Sequence, residues 1–143
     1  WTSGDPLRGI TISPDGSRAL LLRGGKGGSV WSAAVKRSTD GTPIGLDVPP
    51  RIEVGDGKVF DVSWAGNTSA LILQEGSDQH QVTIVTIASS PETLRAPNDA
   101  IRISGGATPQ AILLDNGEDT VYLRSGASWR STTTELTGES YPR

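Results

Sequence analysis

The sequence predicts an all-β fold of short antiparallel strands. Hydrophobic residues make up 34% and aromatic residues 5% of the 143 residues, while 18 glycines and 9 prolines supply turns. The clearest segments alternate apolar and polar residues at a period of two, which is the pattern of a half-buried strand. No segment repeats apolar residues convincingly at helical spacing. Short strands joined by many turns therefore fit the chain better than helices.

The individual strands follow from two patterns. Residues 10–13 and 60–64 alternate, whereas residues 19–22 and 70–73 are continuous apolar runs, typical of strands buried on both faces. The turn Ser13-Pro14-Asp15-Gly16 places proline where φ is near −65° and glycine where φ is positive, so one strand should return along the other. Residues 65–68 and 115–118 occupy the same place in two later segments.

An internal repeat relates these segments. Ile10 and Val62 correspond at a spacing of 52 residues, and a third copy begins near Ala111, a period compatible with propeller blades of about 40–50 residues. Each copy has a first strand, a turn, an apolar strand, a polar loop and a third strand. The predicted strands are 9–13, 18–23 and 29–35 in the first copy, 59–65, 69–74 and 81–87 in the second, and 109–114, 120–123 and 128–134 in the third.

The repeat predicts a partial β-propeller of about three blades. Residues 51–54 and 100–104 form short fourth strands in the first two copies, which gives eleven strands in total and a three-stranded last blade. We expect one domain over residues 1–143, with blade units at about 9–55, 59–105 and 109–136 and a polar tail at 137–143. The best helical start, Ser89–Leu94, is interpreted as a single turn in a loop.

Composition excludes several classes of function. The net charge of −3, with no basic cluster longer than Lys36-Arg37, argues against nucleic acid as a partner. There is no apolar stretch long enough for a spanning helix, and with no cysteine there is no disulfide or cysteine-based zinc site. Because the chain starts at Trp1 and has no Met, we expect a fragment whose export signal or anchor lies outside it.

The candidate catalytic and metal-binding groups favour turn chemistry. His80 lies in the polar loop 76–81, where a lone histidine is expected to be solvated rather than catalytic. Residues 115–119 place several side-chain oxygen atoms close together in sequence, but they lack the EF-hand pattern for Ca²⁺. Most aspartates stand beside glycine, proline or asparagine, where they cap their own turns. The aspartates considered are Asp5, Asp15, Asp40, Asp47, Asp56, Asp61, Asp115 and Asp119.

The remaining motifs also have structural interpretations. Gly24–Gly28 contains Lys26 but lacks the P-loop spacing, so it is predicted to be a hairpin tip. Asn67-Thr68-Ser69 is a formal glycosylation sequon in a tight turn. The strand tryptophans are expected to fill space between blades, with a binding surface as the alternative; they are Trp31, Trp64 and Trp129, while Trp1 and Tyr141 are near the chain ends. We therefore predict no catalytic, cofactor-binding or metal-binding residues, no cofactor and no enzymatic activity.

The order of these segments resembles the C-terminal region of the LpqB lipoproteins of actinobacteria. The likeness spans nearly the whole chain and rests on Ile12–Arg18, on Ser29-Val30-Trp31 leading to Val35–Pro43, and on Val59–Ala65. Residues 120–123, Trp129 and the closing Tyr141-Pro142 complete it. Gly66-Asn67 departs from the pattern, because a Pro-Asp turn is expected there.

The resemblance implies a lipid-anchored protein on the outer face of the cytoplasmic membrane, in which a GerMN domain precedes the propeller. It implies contact with the extracytoplasmic part of a sensor histidine kinase of the Mtr two-component system. From the residues alone, three alternatives stay open. These are a non-enzymatic interaction module, a TolB-like or enzyme-associated propeller that binds a peptide, sugar or other small ligand, and a β-sandwich unrelated to propellers.

Overall fold

The structure is a computed structural model that describes residues 6–24, 28–47, 51–52, 57–86, 90–97, 100–105, 111–114 and 120–131. These residues form thirteen β-strands and no helix. The strands belong to three antiparallel sheets, which we call the first, second and third sheet in chain order. The all-β class and the small antiparallel sheets predicted from sequence are therefore confirmed.

The first sheet has the strand order β1-β2-β3-β4, with β5 also paired to β3. Strand β3 is long enough for two partners, because Val30 and Trp31 pair with β5 while the segment from Val35 to Arg37 pairs with β4. The bounds are β1 Leu7–Ile12, β2 Arg18–Arg23, β3 Ser29–Arg37, β4 Pro43–Leu46 and β5 Arg51–Ile52.

The second and third sheets each have four strands in sequential order. The second sheet consists of β6 Val59–Ala65, β7 Ser69–Glu75, β8 His80–Thr86 and β9 Glu92–Arg95. The third consists of β10 Ala100–Ser104, β11 Ala111–Leu114, β12 Thr120–Ser125 and β13 Ser128–Ser131.

The second sheet is covered by the other two sheets, one on each face. Ile72 of β7 belongs to the cluster shared with Leu20 and Leu22 of β2. Its neighbour Leu71 points the opposite way, as successive strand residues do, into a cluster with Ile103 and other third-sheet residues. The apolar run of β7 is therefore buried on both faces, as its sequence predicts.

The first hairpin has the predicted turn chemistry. Gly16 has φ of 73°, in the left-handed region that a side chain disfavours, and its N–H donates to the Ser13 carbonyl at 2.8 Å. Strand β1 then pairs with β2 in antiparallel register, with Ile12 opposite Ala19.

The predicted position of residues 100–104 is wrong in one respect. They form a strand, but β10 pairs with β11 in the third sheet instead of joining the second sheet. Strand β9 already covers the outer edge of β8, and side chains of β6 bind the free edge of β10. The third sheet consequently has four strands, not the three expected.

Two further strands were not expected. Residues 92–95, within the segment interpreted as a helical turn, form β9, and residues 43–46 form β4. The predicted turn at 115–118 and the polar tail at 137–143 lie outside the described residues, and so do residues 132–134 of the predicted last strand. The predicted domain limits stay predictions.

The first strands of the three sheets lie side by side, with β6 in the middle. The Trp64 indole N–H of β6 donates to the Thr11 carbonyl of β1 at 3.1 Å. On the other side, the Ile103 N–H of β10 donates to the Asp61 carboxylate at 2.9 Å. The three sheets therefore approach one another along their first strands, the arrangement of successive propeller blades around an axis.

Candidate functional site

A cleft of about 360 Å³ opens where the three first strands meet. Its size is within the range of ligand pockets, about 300–1,000 Å³. Strands β1, β6 and β10 supply nearly all of the lining, and β2 adds one residue. The lining residues are Arg8, Gly9, Ile10, Thr11, Leu22, Phe60, Asp61, Val62, Ile101 and Arg102.

Arg8 is held on one wall of the cleft by close packing. A Cβ atom on Gly24 would lie only 1.9 Å from the Arg8 Cδ, so the absence of a side chain at position 24 lets the arginine cross the backbone there. The Arg8 Nη1 then reaches the Val59 carbonyl at 3.4 Å. This contact places the guanidinium group of a first-sheet residue at the start of β6.

Asp61 and Ser63 join β6 to β10. Asp61 accepts from the Ile103 N–H at 2.9 Å, and the Ser63 hydroxyl accepts from the Gly105 N–H at 3.0 Å. These side chains satisfy backbone donors at β10 and just after it, on the edge opposite β11. The Asp61 carboxylate in the cleft is thus engaged by the protein itself, while Arg102 on β10 is exposed beside it.

Phe60 lines the cleft and lies close to His80 and Lys58. Its ring centroid is 4.4 Å from that of His80, and the Lys58 Nζ lies 5.5 Å from the Phe60 centroid. The His80 Nδ1 is also 3.2 Å from the Ala100 carbonyl of β10. This group ties the second sheet to the third and adds a cation near the cleft.

His80 therefore lies in a different setting from the one its sequence predicted. It is the first residue of β8 and is half-buried, not a solvated loop residue. The reason is the aromatic contact with Phe60, which the spacing of 20 residues along the chain conceals. His80 contacts a phenyl ring and a backbone carbonyl, both of which are structural partners.

The turn interpretation of the aspartates holds for Asp15 and Asp40. Hydrogen bonds from the Ser17 hydroxyl, the Ser17 N–H and the Ser13 hydroxyl lower the pKa of Asp15 from 3.8 to about 2. The Ser38 hydroxyl and the Thr42 N–H lower the pKa of Asp40 to about 2 in the same way. Both carboxylates are hydrogen-bonded within their own turns.

The other aspartates lie in several different settings. Asp47 forms an exposed ion pair with Lys36 at 3.5 Å. Asp61 lies within β6, as the predicted strand 59–65 requires, and its carboxylate accepts a hydrogen bond from the third sheet. Asp5, Asp56, Asp115 and Asp119 lie outside the described residues. Within the ranges the structure describes, no group of three or more histidine, aspartate or glutamate side chains is arranged to hold a metal ion.

The strand tryptophans lie at or between the sheets. Trp64 is 5% exposed in the cluster between the first and second sheets. Trp129 packs on the cluster between the second and third sheets, and its indole N–H donates to the Arg95 carbonyl at 2.9 Å. Trp31 is half-buried and donates to the Ser29 hydroxyl. Trp1 and Tyr141 lie outside the described residues.

The remaining sequence motifs also have structural positions. Asn67 of the sequon accepts a hydrogen bond from the Asp15 N–H at 2.9 Å, which joins the equivalent turns of the first two sheets. In the glycine-rich tip, Gly24 accommodates Arg8, whereas residues 25–27 lie outside the described part of the chain. In that described part, no helix is long and apolar enough to cross a membrane.

Sequence reasoning did not single out the cleft residues as a site. The sequence does contain a signal, which is an arginine close to an isoleucine on a first strand. Arg8 is two residues from Ile10, Arg102 directly follows Ile101, and both isoleucines are exposed. That signal has meaning only when residues 100–104 are recognised as a first strand, and the repeat alignment assigned them to the end of the second unit.

The stacked antiparallel sheets, joined along their first strands, define the class of this protein as a β-propeller domain. Residues 1–142 match the family described as the lipoprotein LpqB beta-propeller domain, and the chain belongs to that family. Comparison with curated proteins gave no match, and comparison with solved structures gave none.

Proposed function

We propose that this chain is a non-enzymatic interaction module of a cell-envelope lipoprotein. The observation that carries the proposal is the concentration of exposed apolar side chains on two of the first strands. Leu7, Ile10 and Ile12 of β1 are 51%, 53% and 49% exposed, and Ile101 of β10 is 38% exposed. Of these residues, Ile10 and Ile101 line the cleft, and exposed apolar side chains gathered together are typical of an interaction surface.

The proposed partner is the extracytoplasmic domain of a sensor histidine kinase. This choice follows from the likeness to the LpqB lipoproteins, and membership in that lipoprotein family supports a location at the envelope. The lipid anchor would hold the protein on the outer face of the cytoplasmic membrane, on the same side as the sensor domain. A propeller that binds one state of the sensor more tightly than the other would shift the signalling equilibrium toward that state.

Calorimetric titration of the chain with the purified sensor domain tests this function. We expect saturable binding that Ile10→Ser weakens about tenfold, since the substitution removes one apolar contact that the complex would bury. The matched control is Ile44→Ser, because Ile44 is an exposed isoleucine on β4, away from the cleft. Absence of binding, or equal loss in both variants, would contradict the proposal.

A second candidate is a propeller that binds a peptide, sugar or other small ligand for a TolB-like system or an associated enzyme. The cleft of about 360 Å³ favours it, because its volume suits a small ligand. Thermal-shift screening with sugars and peptides separates the two functions. A small ligand that stabilises the chain, together with no affinity for the sensor domain, would favour this alternative.

A further inference from the structure

The charged groups around the cleft are mostly cationic although the chain carries a net charge of −3. Arg8 and Arg102 line it, and Lys58 lies over the ring of Phe60, another lining residue. Asp61 supplies the carboxylate of the lining, and it already accepts the Ile103 N–H. Lys36 and Asp47 form an ion pair at 3.5 Å, and neither residue lines the cleft.

The walls of the cleft alternate this charge with apolar surface. Ile10 and Ile101 are exposed large hydrophobic residues, and each is close in sequence to a cleft arginine. Guanidinium groups bind carboxylates through charge-assisted hydrogen bonds, and exposed isoleucines bind aliphatic side chains. The chemistry that complements this surface has carboxylates and apolar side chains in close alternation.

The form of the cleft favours an extended occupant. Among the described residues, the first strands β1, β6 and β10 pair within their sheets with β2, β7 and β11 respectively, so the lining follows the opposite edges of these strands. An extended chain can lie along such an edge with its alternate side chains directed to the two kinds of wall. A partner segment in this conformation presents acidic and apolar residues in turn.

We propose that the cleft between β1, β6 and β10 binds an extended acidic and apolar segment of a partner protein, with Arg8 and Arg102 holding its carboxylates and Ile10 and Ile101 its apolar side chains. This inference rests on the proposed function in one respect, that the occupant belongs to a protein. It adds the site, the charge of the segment and the residues that recognise it.

Fluorescence anisotropy with labelled peptides tests the inference on the whole chain. The probe is a short peptide of alternating glutamate and leucine, and the charge-reversed probe alternates lysine and leucine. We expect the glutamate probe to bind, and its affinity to fall with added salt because the contacts are charged. Equal binding of the two probes would overturn the proposal.

Two pairs of matched variants locate the binding. Arg102→Gln should weaken the glutamate probe about tenfold, since it removes a charge-assisted contact, whereas Arg130→Gln on the exposed face of β13 should leave affinity unchanged. Ile101→Ser should likewise weaken binding, and Ile44→Ser should not. Circular dichroism melting of each variant checks that folding is intact. Equal effects of cleft and control substitutions would overturn the assignment of the site.

Titration of the same variants with the sensor domain separates this inference from the proposed function. If the sensor domain binds but Arg102→Gln and Ile101→Ser change nothing, the cleft assignment fails and the interaction function stands. If the glutamate probe binds through the cleft while the sensor domain does not bind, the cleft stands and the proposed partner fails. If neither binds, both proposals fail.

Discussion

Asp15 shows how a single residue organises the turn that the sequence predicted. Its carboxylate accepts from the Ser13 and Ser17 hydroxyls, each at 2.7 Å, and from the Ser17 N–H at 3.0 Å. These bonds favour the charged form of the group. The Asp15 N–H, in turn, donates to Asn67 of the equivalent turn in the second sheet.

The lowered pKa of Asp15 predicts a specific dependence of stability on pH. Because the pKa falls from 3.8 to about 2 on folding, the ionised carboxylate stabilises the fold above pH 3.8. This contribution disappears as the pH falls to about 2. Asp15→Asn should therefore lower the free energy of unfolding at pH 7, and its difference from the parent chain should shrink toward pH 2. Urea denaturation across this pH range measures it.

The control for this prediction is Asp78→Asn, which changes an exposed carboxylate between β7 and β8. At pH 7 it should leave the free energy of unfolding within about 0.5 kcal/mol of the parent value. A constant difference between Asp15→Asn and the parent chain from pH 7 to pH 2 would contradict the role assigned to the turn.

Asn67 forms a contact that its sequence position did not predict. The Gly66-Asn67 turn departs from the Pro-Asp pattern of the first copy, and this departure weakened the match between the two units. In the structure the Asn67 Oδ1 accepts the Asp15 N–H across 52 residues. An asparagine has this acceptor as well as any aspartate, but the contact itself is long-range and no local pattern predicts it.

At the scale of the element, β7 depends on burial of both faces. Ile72 is completely buried toward the first sheet, while Leu71 and Leu73 are buried toward the third. A central strand of this kind stabilises two interfaces at once, and its continuous apolar run was a sufficient sequence signal.

Shortening Ile72 should therefore be costly. Ile72→Ala leaves a cavity between the first and second sheets and should lower the free energy of unfolding by about 2–5 kcal/mol. The matched substitution Ile44→Ala, at a side chain 66% exposed, should change it by less than about 0.5 kcal/mol. Chemical denaturation followed by tryptophan fluorescence measures both, and similar losses in the two variants would contradict the two-faced burial of β7.

Strand β10 is held by side chains of a neighbouring sheet. Asp61→Ala removes the acceptor for the Ile103 N–H. Ile103 is only 6% exposed, so this donor is largely shielded from water. Leaving that donor unsatisfied should cost about 1–3 kcal/mol and accelerate hydrogen exchange of the Ile103 amide. Asp78→Ala is the control for a lost exposed carboxylate. Unchanged exchange at Ile103 in Asp61→Ala would show that another group holds this edge.

The strands differed in how far their sequences predicted them. The bounds of β2 and β6 match the predicted ranges 18–23 and 59–65, because their apolar patterns and flanking turns are strong. Strands β4 and β9 were missed because Pro43, Gly45 and the polar segment 92–95 have little strand propensity. Pairing with β3 and β8 outweighs that weak preference, and such pairing is a tertiary effect.

At the scale of the whole molecule, three sheets stack so that their first strands converge on one cleft. The repeat in the sequence predicted the sheets and their propeller class, and membership in the LpqB beta-propeller family agrees with it. The cleft was not predicted, because its walls come from strands about 50 and 40 residues apart in sequence. Because residues 100–104 were assigned to the second unit instead of the third, the strand that forms one wall of the cleft was not recognised as a first strand.

A nuclear Overhauser spectrum of the whole chain tests this arrangement most directly. We expect the Trp64 indole proton to show contacts with the backbone of Thr11, and the Ile103 amide to show contacts with the Asp61 side chain. The Ile103 Hα should show a contact with the Ile112 Hα across the third sheet. Cross-strand contacts from Ile103 to β8 would contradict this arrangement, because they would place β10 at the outer edge of the second sheet and remove one wall of the cleft.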